Sequence, residues 1–190
     1  MVKTATQLLT FKDYLAYDDG TDGRYELVDG QLLPMNPPRT EHLLITKFLE
    51  KQLDTEIQRL DLSWLTLREA GVRTGFNRSR LSDLCIVTTE QAKELLGQSA
   101  VFQTPPKLIV EVVSPDSITR DYRYKRSEYA VLEVPEYWIV DPLTAQITLL
   151  RWEEGLYEEA VFVNEQAIAS LVLPELSLTV AQILAAGTLA

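Results

Sequence analysis

One histidine (His42) and one cysteine (Cys85) are all the imidazole and thiolate ligands in 190 residues. That scarcity excludes a disulfide framework and a structural Cys/His zinc site within one chain. Glycine is also scarce, eight in all, and no GxxxxGK[ST] or GxGxxG run occurs. Phosphate-cradling glycine loops are therefore absent from the expected chemistry. No apolar run approaches the roughly 18 residues of a membrane span. Residues 1–11 carry one lysine and no long apolar stretch, so no signal peptide is expected, and a lone cysteine fits the cytoplasm. Positive charge is short as well. Acids outnumber bases 28 to 18, a formal net charge of -10, so the chain is not expected to coat polyanions over its whole surface. What remains for chemistry is carboxylate, lysine, hydroxyl and a hard metal ion.

Hydrophobic residues make up 46% and charged residues 24%, which suits a soluble core. With no linker, repeat or low-complexity tract, one domain over residues 1–190 is expected. Thr10 followed by Asp13 predicts an N-capped helix over 11–17, stopped at Asp18-Asp19-Gly20. Residues 25–28 and 31–33 flank Asp29-Gly30, a strong hairpin signal. Pro34, Pro37 and Pro38 are expected to bar regular structure. Ile45, Leu49, Leu53 and Ile57 recur every four residues and predict a helix over 41–60. Strands are expected over 63–70, 84–88, 107–113 and 136–140, and short helices over 90–96 and 179–186. A helix over 117–132 lies between the last two of those strands. That succession is a βαβ crossover, which makes the two strands parallel. Residues 146–152 and 156–163 form a C-terminal hairpin. The fold class is α/β, a mixed sheet with flanking helices.

Two carboxylates are out of place. Glu111 lies inside the apolar run 107–113, where a charge is costly unless paired or metal-bound. Asp83 opens the neighbouring apolar strand. Adjacent strands would bring the two acids together, and a divalent cation relieves their repulsion; all-oxygen ligation suits Mg²⁺. Asp121 and Lys125 are spaced i, i+4, and Tyr129 continues that face; alone they read as a surface ion pair. Glu26 alone is ordinary strand polarity, and His42 a first-turn or core residue of the long helix. Basic residues fall into two groups, Arg68, Arg73, Arg78 and Arg80, then Arg120, Arg123, Lys125 and Arg126. A local basic patch of this kind serves phosphate contacts.

These residues occur in a recognisable order. It runs Tyr25-Glu26-Leu27-Val28-Asp29-Gly30, the proline-rich stretch leading to His42, then Asp83-Leu84 and Glu111-Val112-Val113-Ser114-Pro115. Asp121 with Lys125 and Tyr129 follows, then Val134-Pro135-Glu136-Tyr137-Trp138-Ile139-Val140-Asp141-Pro142. The set resembles the Uma-type family of putative restriction endonucleases, common in cyanobacteria, over roughly residues 11–180. The resemblance implies the PD-(D/E)XK nuclease superfamily: a restriction-endonuclease-like αβββαβ core with added N- and C-terminal hairpins. It implies metal-binding roles for Asp83 and Glu111, with Glu26 an additional metal or water-positioning acid. Ser82 stands where the family usually has proline, and Val113 where the general nuclease motif has lysine. The resemblance places that basic residue at Lys125 in the following helix. His42 matches the family's histidine.

The expectation is a Mg²⁺-dependent DNA endonuclease, with Mn²⁺ as a substitute metal. Asp83, Glu111 and Lys125 are its catalytic residues; Glu26, His42, Asp121 and Tyr129 are accessory. Arg73, Arg120, Arg123 and Arg126 are expected to grip phosphates. The resemblance also implies a homodimer. One rival is an inactive nuclease fold kept for binding nucleic acid or protein. Another, a Cys85/His42 hydrolase, has no motif joining its two residues.

Overall fold

Two strands are covered on both faces, and the rest of the fold is arranged around them. They are β8 (Leu108–Val112) and β9 (Glu136–Asp141), every residue of which is buried. The computed structural model describes residues 8–189. Residues 1–7, on which part of the expectation of no signal peptide falls, lie outside the described residues. In chain order the elements before β8 are α1 (Phe11–Leu15), the hairpin β1 (Tyr25–Val28) and β2 (Gln31–Pro34), and the long helix α2 (Thr40–Arg59). Then come β3 (Trp64–Arg68), β4 (Gly71–Gly75), β5 (Arg78–Leu81), β6 (Leu84–Thr88), α3 (Thr89–Glu94) and β7 (Val101–Phe102). After β8 a π-helical segment (Arg120–Lys125) runs straight into α4 (Arg126–Val131). β9, the hairpin β10 (Gln146–Glu153) and β11 (Leu156–Val163), and α5 (Val180–Ala185) complete the chain.

One sheet has the order β11-β10-β9-β8-β6-β3. β8 and β9 are parallel, as the crossover requires, and the other pairs are antiparallel. Side chains alternate between its faces. Leu84, Ile86, Leu108, Val110, Val112, Trp138 and Val140 meet the Ile45-Leu49-Leu53-Ile57 stripe of α2 and the apolar residues of 168–183. Cys85, Val87, Ile109, Tyr137 and Ile139 face the other way, onto Tyr129, Val113 and Val134. Glu111 shares that second face by alternation.

The expected single mixed sheet is two sheets. β4 and β5, which the sequence reading left out, join the N-terminal hairpin and β7 in the order β2-β1-β5-β4-β7. They form an excursion between β3 and β6, and the αβββαβ order survives around them. Pro34 also corrects an expectation. It ends β2 as a strand residue, tolerated because β2 is an edge and needs no ladder N–H there. The Asp29-Gly30 turn has φ of 51° and 82°, the two positive values that a tight hairpin requires. Among the described residues no helix is long and apolar enough to cross a membrane.

Glu136 ties the C-terminal segment to the sheet. One of its carboxylate oxygens accepts from Trp138 Nε1 at 2.6 Å and Ser170 Oγ at 2.7 Å, the other from the Leu171 N–H at 2.6 Å. Glu136, Trp138 and Ser170 are buried, and the Leu171 N–H meets them from nearer the surface. Glu136→Ala strands those donors and is expected to cost about 3–5 kcal/mol of stability in urea unfolding, without a change of activity per folded molecule.

Candidate active site

The site lies where the two sheets meet, and the backbone register builds it. β6 and β8 pair with Leu84 opposite Val110; one further step along that register puts Asp83 across from Glu111. The Val112 N–H donates to Asp83 Oδ2 at 2.7 Å, so the side chain continues the ladder where β6 has ended. Asp83 Oδ1 faces His42 Nε2 at 3.2 Å, from the first turn of α2.

Glu111 is met from the far side by the helix that follows β8. Lys125 Nζ lies 2.7 Å from Glu111 Oε2, and Tyr129 donates its hydroxyl to Glu111 Oε1 at 3.0 Å. Lys125 is not the surface half of an ion pair with Asp121. It is 2% exposed, its ammonium also donates to the Leu81 carbonyl at 2.9 Å, and Glu26 Oε1 is 3.6 Å away. Asp121 Oδ1 is 3.9 Å from the same nitrogen. The π-helical winding spans Arg120–Lys125 and carries both Asp121 and Lys125 on its buried side. Such windings recur at functional sites. Val113, in the position where the general motif has lysine, is packed in the apolar cluster with Ile109 and Tyr129.

Behind this pair stands a second buried row. Arg80 donates to Glu26 Oε2 at 2.8 Å and grips both oxygens of Glu128, at 2.8 and 2.6 Å. Thr74 adds a bond to Glu128 at 2.7 Å, and the Leu81 N–H one to Glu26 Oε1 at 3.1 Å. Glu26 is therefore fully engaged by Arg80, Leu81 and Lys125, and it does not line the cleft. Glu26, expected as an additional metal or water-positioning acid, stands behind Lys125. Arg80, Glu128 and Thr74 were not anticipated. No spacing along the chain connects β4, β5 and α4, and β4–β5 has weak alternation and a Phe76-Asn77 turn without glycine.

In front is a cleft of about 720 Å³. Asp83, Glu111, Asp121, Lys125, His42 and Ser117 line it, with the proline-rich loop 34–38 and Arg39 opposite. The two expected basic patches largely dissolve into ion pairs. Arg78 pairs with Asp29, Arg68 with Glu50, Arg126 with Glu159, and Arg80 is buried as described. Arg73 lies over the Phe11 ring at 4.1 Å and bonds to Gln103. Arg73, Arg123 and Arg126 lie outside the cleft lining; Arg120 is in it, as is Arg39, which was not expected.

The charges are uneven. Four buried carboxyl groups, Glu26, Glu111, Asp121 and Glu128, crowd two buried cations, Arg80 and Lys125, and the part-exposed Arg120 lies 3.8 Å from Asp121. Burial pushes the Glu111 carboxyl well above its ordinary range, against the pull of Lys125 and with the push of Asp83 and Asp121. Burial likewise raises Asp121, despite Lys125 and the Ser117 hydroxyl. Asp83 goes the other way: burial opposes its charge, but His42, Lys125 and the Val112 N–H outweigh that and lower it. His42 is raised, because Asp83 outweighs burial. Lys125 is raised too, the surrounding acids overcoming the loss of water, so it keeps its proton. Cys85 is buried within β6, which pushes its thiol up to about 12. With His42 committed to Asp83, the Cys85/His42 hydrolase has no site.

A family model described as "Uma2: Putative restriction endonuclease" matches residues 11–181. The chain belongs to that family. A crystal structure of a putative nuclease belonging to DUF820, from Anabaena variabilis ATCC 29413, superposes with a TM-score of 0.79 at 17% identity, covering 95% of this chain and 99% of that one. The two share the restriction-endonuclease-like fold. The type IIG restriction endonuclease BpuSI aligns at a TM-score of 0.41 and 13% identity, over 80% of this chain and 17% of that one, too distant to carry weight. A search of curated proteins gave no match.

Glu111 gives a signed test of this electrostatic picture. Its folded pKa is raised above the ordinary 4.5. Below that value both folded and unfolded states are protonated and nothing is lost. Above it the unfolded chain releases a proton that the fold retains, so stability falls as pH rises toward the folded value. Glu111→Gln loses the charged partner of Lys125, and its stability deficit relative to the parent is expected to be smaller at about pH 8 than at about pH 4 in metal-free buffer, by urea titration.

Proposed function

We propose that this protein is a Mg²⁺-dependent endonuclease that hydrolyses phosphodiester bonds in DNA. The observation that carries the reading is the meeting of Glu111 and Lys125 Nζ at 2.7 Å in the cleft wall, with Asp83 across the strand from Glu111. The donor set suits a hard cation. Asp83 and Glu111 offer oxygen only, and among the described residues no three His, Cys, Asp or Glu come together as a ready cage. Mg²⁺ is bound in that way, by one or two carboxylates with water completing its shell. The mutual repulsion of Asp83, Glu111 and Asp121 favours the same occupant. Asp83 and Glu111 would hold the cation, whose chemistry when bound is to polarise a phosphoryl oxygen and acidify water.

The chain's own residues do the rest. Lys125 places a fixed positive charge where negative charge grows on the phosphate, and it is held there by Glu26 and the Leu81 carbonyl. Tyr129 and Lys125 together orient the Glu111 carboxylate. His42 holds Asp83 ionised. Arg39 and Arg120 are the lining cations outside the ion pairs of Arg24 with Glu69 and Arg68 with Glu50, and they take neighbouring phosphates. The single-domain organisation, the homodimer and the cytoplasmic location expected from sequence belong to this same proposal.

Purified protein with Mg²⁺ or Mn²⁺ is expected to cut plasmid or single-stranded DNA. Asp83→Ala, Glu111→Ala and Lys125→Ala should each reduce cutting by roughly 10²–10³-fold or more. Cutting that survives both carboxylate changes would sink the assignment, and an active species sedimenting at 21.5 kDa would remove the homodimer.

So few free cations predict a small electrostatic footprint. The slope of log binding constant against log salt is expected to be shallower than about -3, from two or three phosphate contacts, in filter-binding assays at fixed Mn²⁺. A slope steeper than about -6 would mean a wider basic contact surface than the cleft offers.

A further inference from the structure

Hydrolysis needs an acceptor for the proton of the attacking water, and the groups named so far are otherwise engaged. Lys125 keeps its proton, locked between the Leu81 carbonyl and Glu111. Glu111 receives Lys125 on one oxygen and Tyr129 on the other. Asp83 receives the Val112 N–H on one oxygen and faces His42 with the other, which also occupies His42 Nε2.

Asp121 is different. Its side chain is 2% exposed, yet it lines the cleft. Oδ2 accepts the Ser117 hydroxyl, while Oδ1 is buried without a hydrogen-bond partner. The nearest cations, Arg120 Nε at 3.8 Å and Lys125 Nζ at 3.9 Å, are beyond hydrogen-bond reach. A buried carboxylate oxygen left empty is costly, so a mobile donor is the natural occupant. The group is also well fixed. The Asp121 N–H donates to the Ser117 carbonyl at 2.9 Å, and the Asp121 carbonyl accepts from the Tyr137 hydroxyl at 3.1 Å. Ser117 Oγ in turn accepts the Ser114 N–H at 2.9 Å.

Resting on the nuclease reading above, we propose that Asp121 is the general base of this site, with Oδ1 receiving the proton of the attacking water. The water oxygen forms its bond to phosphorus as that proton passes to Asp121. The bond from phosphorus to the departing nucleoside oxygen breaks, and that oxygen takes a proton from solvent water. Asp121 then returns its own proton to solvent. Ser117 is a positioning residue, holding Oδ2 and leaving Oδ1 uncommitted.

Asp121→Asn keeps the shape and the Ser117 contact but removes the acceptor. In the full-length protein with Mn²⁺, kcat is expected to fall about 10²–10⁴-fold. KM and the Mn²⁺ affinity measured by calorimetry are expected to stay unchanged. Asp121→Ala is expected to recover part of its activity when formate is added, since formate brings a carboxylate to the vacated space. Full activity in Asp121→Asn, loss of Mn²⁺ binding, or no formate rescue in a folded Asp121→Ala would each overturn the assignment. A wild-type protein that does not cut at all would remove the nuclease reading itself. Cutting wild type beside an equally active Asp121→Asn removes only the general base.

Discussion

The contact between Lys125 and Glu111 is the constraint on which the site depends. Neither group is tolerable alone. A carboxylate inside a sheet and an ammonium away from water each carry a large desolvation cost, and only close pairing with further hydrogen bonds offsets it. Here the offset is complete for the ammonium and incomplete for the carboxylates. Lys125 reaches Glu111, the Leu81 carbonyl and the neighbourhood of Glu26. Glu111 stays under strain from Asp83 and Asp121 even so. A lysine so surrounded by acids keeps its proton, so in the proposed mechanism it stabilises charge and does not carry protons.

The second sheet exists, in functional terms, to hold that lysine. β1 contributes Glu26 and β5 contributes Arg80, and Leu27 pairs with Ser79 where those strands meet. Arg80 then bridges Glu26 to Glu128 on α4, so one guanidinium links a strand of one sheet to the helix that covers the other. A planar fork with several donors suits that position; a lysine there could not serve both acids. The cost of burying so many charges is met by geometry, and the geometry comes from elements far apart in sequence.

That distance explains which parts of the fold and site were legible in the sequence. Strands and helices with strong periodicity, such as the four-residue stripe of α2 and the apolar run of β8, were readable because local pattern and tertiary burial agree. Glu111 was conspicuous for the same reason, a charge breaking an apolar run. Asp83 followed from the neighbouring strand. Lys125 was different: its spacing from Asp121 imitates a surface pair, and only the family resemblance pointed inward. Arg80 and Glu128 left no local trace, because an arginine in a weakly patterned strand and a glutamate in a helix look solvated until the chain is folded. The basic clusters misled for a related reason. Charge counted along the chain ignores partners across it, and Arg68, Arg78 and Arg126 each meet an acid from another element.

The negative total charge of the chain can now be placed. An acidic exterior repels nucleic acid at long range, and the cleft adds few free cations to overcome it. Affinity therefore has to be gained close in, where a divalent cation would join Lys125, Arg39 and Arg120. A site whose buried acids outnumber its buried bases is poorly matched to a phosphodiester until their charge is neutralised, because both are anionic. Metal and substrate binding are then linked by charge: occupancy by one removes the repulsion felt by the other. The unpaired oxygen of Asp121 belongs to the same logic. Asp83 and Glu111 are committed to proton donors, so on the proposed reading the uncommitted oxygen of Asp121 is where a water is bound and deprotonated.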